Sequence, residues 1–172
     1  MSYCRKGNWN ENLENLVNKQ INMELFASHA YKSLHAYFNS DSVGFPGIAE
    51  FFKKSSEEET EHAEKFIQYQ NVRGGKVRIT AIDSPNFDFN ENGDTSLLFQ
   101  AIRYALELEQ QVYESILNIS KSCDDVGLED FLDEFVKEQL EGQYELGIKL
   151  KQLERIGKDG HGLIHYDTEM FK

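Results

Sequence analysis

Cysteine and proline are scarce in this sequence. Two cysteines, Cys4 and Cys123, among 172 residues exclude a disulfide-stapled fold. They point instead to reduced thiols in an intracellular setting, so the expected location is cytoplasmic. Two prolines leave room for long uninterrupted helices. No run approaches the ~18 apolar residues that a membrane span requires, and the opening MSYCRKGNW has no apolar signal core. Basic residues are also in deficit: 18 Lys and Arg stand against 30 Asp and Glu, for a net charge of −12. That balance disfavours nucleic acid and anionic membranes as partners and favours cations. The remaining composition, 40% hydrophobic and 28% charged, is that of a globular chain and not a disordered one. A chain of this length is expected to form one domain over 1–172, burying roughly 70% of its unfolded surface.

Four segments carry the 3.6-residue period, over about 11–38, 46–73, 94–121 and 127–156. In the first, Leu13, Leu16, Val17, Ile21, Tyr31, Leu34 and Phe38 share one stripe. Arg73-Gly74-Gly75 closes the second, as glycines past a helix C-terminus do. A short tail helix is expected over about 162–170. The breaks after the first and third segments are short, so each flanking pair runs antiparallel. The middle connector of about 20 residues reaches roughly 65 Å when extended, while a 28-residue helix is about 42 Å long. It can therefore run the length of a bundle and join two parallel helices. The expected architecture is all-α, a four-helix bundle with one long crossover connection and a short C-terminal fifth helix.

The informative residues are acids inside the apolar stripes. Glu24 lies seven residues after Val17 and seven before Tyr31; Glu59 lies seven after Phe52 and seven before Phe66. Glu109 follows Ala105 by four, and Glu138 with Gln139 follows Phe131, Leu132 and Phe135 at inward spacing. Each long helix is thus expected to send one carboxylate toward the axis near its middle. Burying several carboxylates together is prohibitive unless protons, water or cations cancel the charge. A divalent metal is the economical solution, because one ion serves acids from different helices. Glu59-Thr60-Glu61-His62 adds an E-x-x-H, which sets a carboxylate and an imidazole on one helix face and suits iron. No Gly-rich phosphate loop or nucleophile–His–acid grouping competes for the function.

Taken together, Gln20-Ile21-Asn22-Met23-Glu24-Leu25, Glu58-Glu59-Thr60-Glu61-His62-Ala63-Glu64-Lys65, Gln70-Asn71-Val72-Arg73-Gly74-Gly75, Leu106-Glu107-Leu108-Glu109 and Glu138-Gln139 resemble, in order, stretches of the ferritin family. The resemblance is to its heavy-chain, catalytic type, with some prokaryotic features. A bundle with inward glutamates and E-x-x-H is a known architecture of ferritin-like proteins. The resemblance implies iron storage with ferroxidase activity: Fe2+ oxidised by O2 at an intrasubunit di-iron centre, and Fe3+ kept as mineral in a hollow homo-oligomer of 24 subunits. By position it implies Glu24, Glu59 and His62 as ligands of one iron, with Glu59 bridging and Glu109 on the second. Gln139 resembles the residue that hydrogen-bonds near that second site. Tyr31 resembles the nearby tyrosine, either a redox-active phenol or a core residue with a partnered hydroxyl.

Departures from the family pattern matter too. Glu138-x-x-Glu141 stands where di-iron oxygenases and bacterioferritins carry a second E-x-x-H, which leaves the second iron weakly held and suits transit into a store. Glu58, Glu138 and Glu141 resemble the third iron site of prokaryotic ferritins. Glu57, Glu61 and Glu64 form an acidic stripe that is either a solvated face or a site of mineral nucleation. Asp130 and Asp133 resemble the acids of a threefold channel, although acids at a helix start also favour the dipole. His161 and His165 belong to the tail's surface or line a fourfold pore.

Overall fold

The computed structural model describes Cys4 and residues 9–170; the remaining terminal positions of the expected 1–172 domain lie outside the described residues. Five helices follow in order: α1 (Glu11–Phe38), α2 (Pro46–Val72), α3 (Leu97–Lys121), α4 (Val126–Ile156) and α5 (Gly160–Glu169). No strand occurs among the described residues. The fold is the all-α bundle with one long crossover and a short fifth helix.

Local chemistry sets the helix ends. Asn10 caps α1 by accepting the Leu13 N–H at 3.0 Å. The end of α2 is a Schellman turn: Gly74 takes φ +72, its N–H bonds Asn71 O, and the Gly75 N–H bonds Gln70 O at 2.9 Å. α3 starts at Leu97, later than the periodicity at 94 predicts, because the Ser96 hydroxyl accepts the Phe99 N–H and fixes the first turn there. Similarly, α5 starts at Gly160, ahead of the expected 162, because Asp159 accepts the Gly162 N–H.

α1 packs on α2, α3 on α4, and α1 on α3. The connector lies over the α1–α3 side. Near its start, Asn18 and Asn22 bond it as a neighbouring strand would. The Asn18 amide donates to Lys76 O and accepts from the Arg78 N–H, while Asn22 donates to Arg78 O and accepts from the Thr80 N–H. Farther on, Phe87 and Phe89 pack edge-on against Tyr37 near the end of α1, and Phe87 also meets Tyr104 of α3. From Asn18 to Tyr37 is about 28 Å of helix, so the connector does traverse the bundle. The opposite side, between α2 and α4, is left wider.

Two long-range ties hold the ends. Arg73 at the end of α2 donates to both oxygens of Asp125, at 2.7 and 2.5 Å, and its guanidinium lies over the Trp9 ring. Asp125 also caps α4, and the guanidinium holds its carboxyl below the usual range. At the other end, buried Asp167 of α5 accepts the Gly47 and Ile48 N–H groups that open α2, at 3.0 and 2.8 Å. A side chain at Gly47 would collide with the Asp167 backbone oxygen, so this approach requires glycine.

Asp167→Ala should remove the cap that docks α5, at a cost of about 2 kcal/mol. Hydrogen exchange should then show lost amide protection throughout α5 with the bundle core still protected. Unchanged protection would mean that α5 is held by its apolar contacts alone.

Candidate metal centre

The middle of the bundle is where acids replace hydrocarbon. Glu24, Glu59 and Glu109 are 0%, 4% and 9% exposed, set among Val17, Ile21, Ala63 and Val112. The α4 position expected to add a fourth carboxylate behaves otherwise. Gln139 is the buried residue there, while Glu138 is exposed at the cavity rim. An amide in that place lowers the repulsion by one charge.

One ligand atom from each of Glu24, Glu59 and His62 lies within 4.8 Å of the others, close enough for a single divalent ion. His62 reaches this group because it sits one turn after Glu59, with its Nδ1 at 3.3 Å from a Glu59 oxygen. Glu109 stands on the other side of Glu59, and its charge is the second cause, after burial, that pushes the Glu59 carboxyl well up. Glu59 therefore neighbours both Glu24 and Glu109, as a bridging position requires.

Hydrogen bonds orient the donors. The Gln20 amide donates to Glu24 Oε1 at 2.7 Å, leaving the buried Glu24 Oε2 with no partner. Glu109 accepts from the Tyr31 hydroxyl on one oxygen and from the Gln139 amide, at 2.7 Å, on the other. Tyr31 is fixed by stacking on Phe52. Burial first, and the Glu109 charge second, push its phenol well up, so it stays protonated and donates. Gln20 is a further functional residue that the sequence expectations omit; its signal is an amide within the apolar stripe, one turn before the inward acid.

Tyr31, Glu59, His62, Glu109 and Gln139 line a cavity of about 400 Å³ between α2 and α4. Glu58, Glu61, Glu138 and Glu141 line it toward the mouth, joined by Glu145 and Lys149. Burial raises the Glu58 carboxyl. The structure thus brings together Glu24, Tyr31, Glu58, Glu59, Glu61, His62, Glu109, Glu138, Gln139 and Glu141. It leaves Glu57 and Glu64 exposed outside the cavity, Asp130 and Asp133 exposed on the first turns of α4, and His161 and His165 exposed on α5; of these, His165 lines a separate groove between α4 and α5.

The donor set fits a divalent cation. Glu24 is held well above the usual carboxylate range, by burial first and by Glu59 second, and its buried Oε2 accepts from no donor among the described residues. A cation entering the group replaces protons and repulsion together.

Comparison with known proteins follows the same outline. The family model "Ferritin-like domain" matches residues 14–156. The chain is 44% identical over 168 residues to "Ferritin-2, chloroplastic" of Zea mays, covering 94% of this chain and 66% of that protein. It is 42% identical over 166 residues to "Soma ferritin" of Lymnaea stagnalis, covering 94% and 92%. A crystal structure of ferritin from the green alga Ulva pertusa superposes with a TM-score of 0.91 at 35% identity, covering 98% of this chain and 87% of that one. The chain thus spans just under two thirds of the maize protein's length.

The raised carboxyls of Glu24 and Glu59 carry a pH dependence. Between the ordinary carboxylate value and the raised native one, the folded chain binds more protons than the unfolded chain. Stability of the metal-free protein is therefore full below that window and is lost as pH rises through it. Adding Zn2+ should raise the melting temperature more at about pH 7.5 than at about pH 5, where protons compete with it for carboxyls held well above ~4.3. Equal gains at both pH values would rule out protonated acids at the centre.

Proposed function

This chain is a member of the ferritin family, and from that premise we propose that it stores iron and oxidises Fe2+ with O2 at the centre built by Glu24, Glu59, His62 and Glu109. The observation that carries the proposal is the convergence of Glu24, Glu59 and His62, with donor atoms within 4.8 Å, in the buried middle of the bundle. Iron is here substrate and cargo. In this reading Glu24, Glu59 and His62 bind one Fe2+, and Glu59 and Glu109 bind a second. Each ion gives one electron to the same O2, and the protein's part is to hold the two within reach of it.

Tyr31 and Gln139 hold Glu109 from opposite sides, so the second ion meets an oriented carboxylate but few strong ligands. A weakly held product suits onward transit, as the heavy-chain-like catalytic type requires. The mouth of the cavity offers Glu58, Glu138 and Glu141 for a third ion. Glu61 at that mouth, with Glu57 and Glu64 outside it, would nucleate mineral inside a shell of 24 copies, with Asp130 and Asp133 at the threefold entrance. The whole of 1–172 serves as one such unit. Among the described residues no helix is long and apolar enough to cross a membrane. The plant relatives are named as chloroplastic, and the chemistry proposed here serves equally in an organelle or the cytoplasm.

Aerobic addition of two Fe2+ per chain should give a fast rise in absorbance. The double variant Glu59→Ala, His62→Ala should lose that phase and keep only slow mineral growth. A fast phase of unchanged rate in the variant would place the oxidation elsewhere and overturn the proposal.

A further inference from the structure

His62 has a carboxylate oxygen close to each ring nitrogen. Nδ1 faces Glu59, and Nε2 lies 3.1 Å from Glu138 Oε2, across the gap from α2 to α4. The ring itself is wedged edge-on against Phe135. An ionised carboxylate only accepts hydrogen bonds, so the nitrogen that faces it carries the proton. Were a cation held by Glu24, Glu59 and Nδ1, the imidazole's remaining proton would sit on Nε2, the nitrogen 3.1 Å from Glu138 Oε2.

We infer that Glu138 is a positioning residue for the first metal ion, acting through His62: it accepts the Nε2–H, selects the tautomer whose Nδ1 lone pair points at the ion, and fixes the ring plane. This deepens the reading of the centre given above and rests on it. It also changes how Glu138 is viewed, since one of its oxygens serves His62 and only the other remains for an ion at the cavity mouth. A carboxylate on the far nitrogen raises the basicity of a metal-bound imidazole, and loss of such a partner weakens metal binding about 10–100-fold. The exposed bridge from Lys65 to Glu134, 3.1 Å long, ties the same two helices one turn away and provides a control for their spacing.

The test is a Zn2+ titration of the full chain by calorimetry, with Co2+ absorption to follow the first equivalent. Glu138→Ala should weaken the first equivalent about 10–100-fold. Glu138→Gln should recover most of that loss, because its amide oxygen still accepts from Nε2–H. Glu134→Ala, which breaks only the neighbouring bridge, should leave the first equivalent unchanged. The inference is overturned if Glu138→Ala lowers the number of ions bound and leaves the first affinity intact, because Glu138 would then be only a ligand at the mouth. It also fails if Glu138→Gln falls as far as Glu138→Ala. If His62→Ala itself leaves the first equivalent untouched, the error lies in the proposed centre and not in the role of Glu138.

Discussion

Three carboxyl groups share the buried middle of this bundle, and most of what surrounds them answers to their mutual repulsion. An ionised carboxylate taken from water into a protein interior costs several kcal/mol even after relaxation. Glu24 and Glu59 bear that cost beside each other, and both are pushed toward their neutral forms. Gln20, Tyr31 and Gln139 each supply a hydrogen to one of the oxygens. None of them supplies a positive charge. The site is therefore ordered but not neutralised, a state that a divalent ion relieves.

Sustaining such a site requires a rigid frame with access from one direction. α1–α2 and α3–α4 are closely packed pairs, and the connector seals the α1–α3 side with its aromatic residues. The α2–α4 side is held apart and opens as the acid-lined cavity. The cavity thus approaches the buried acids past Glu58, Glu138 and Glu141. The cross-links over the gap, Lys65 to Glu134 and His62 to Glu138, are polar and leave the space between them passable. Ties at the bundle ends, through Arg73–Asp125 and Asp167, fix the helices without filling the middle.

Much of this was legible before any coordinates. The positions of Glu24, Glu59 and Glu109 within apolar stripes follow from the helical period alone, because side chains three, four and seven apart share a face. The need for a crossover follows from connector length. Less legible were the helix starts at Leu97 and Gly160, which turn on which of several neighbouring polar side chains acts as cap. The rotation of α4 about its axis is equally hidden, and the structure sets Glu138 at the cavity rim and Gln139 inside. Glu138 adjoins Gln139 near the inward face, and a rotation of part of a turn decides which of the two is buried.

By itself the sequence determined a helical chain with acids on inward faces and an E-x-x-H among them, since those depend on local periodicity and residue chemistry. The tertiary structure alone decided that Gln139 turns inward and that His62 meets Glu138 across the α2–α4 gap. It also decided that Asp167 caps a helix 120 residues away in sequence. Such contacts depend on how far apart the packed helices stand and how each is rotated. Packing of the whole core sets both quantities, and no short stretch of sequence encodes them.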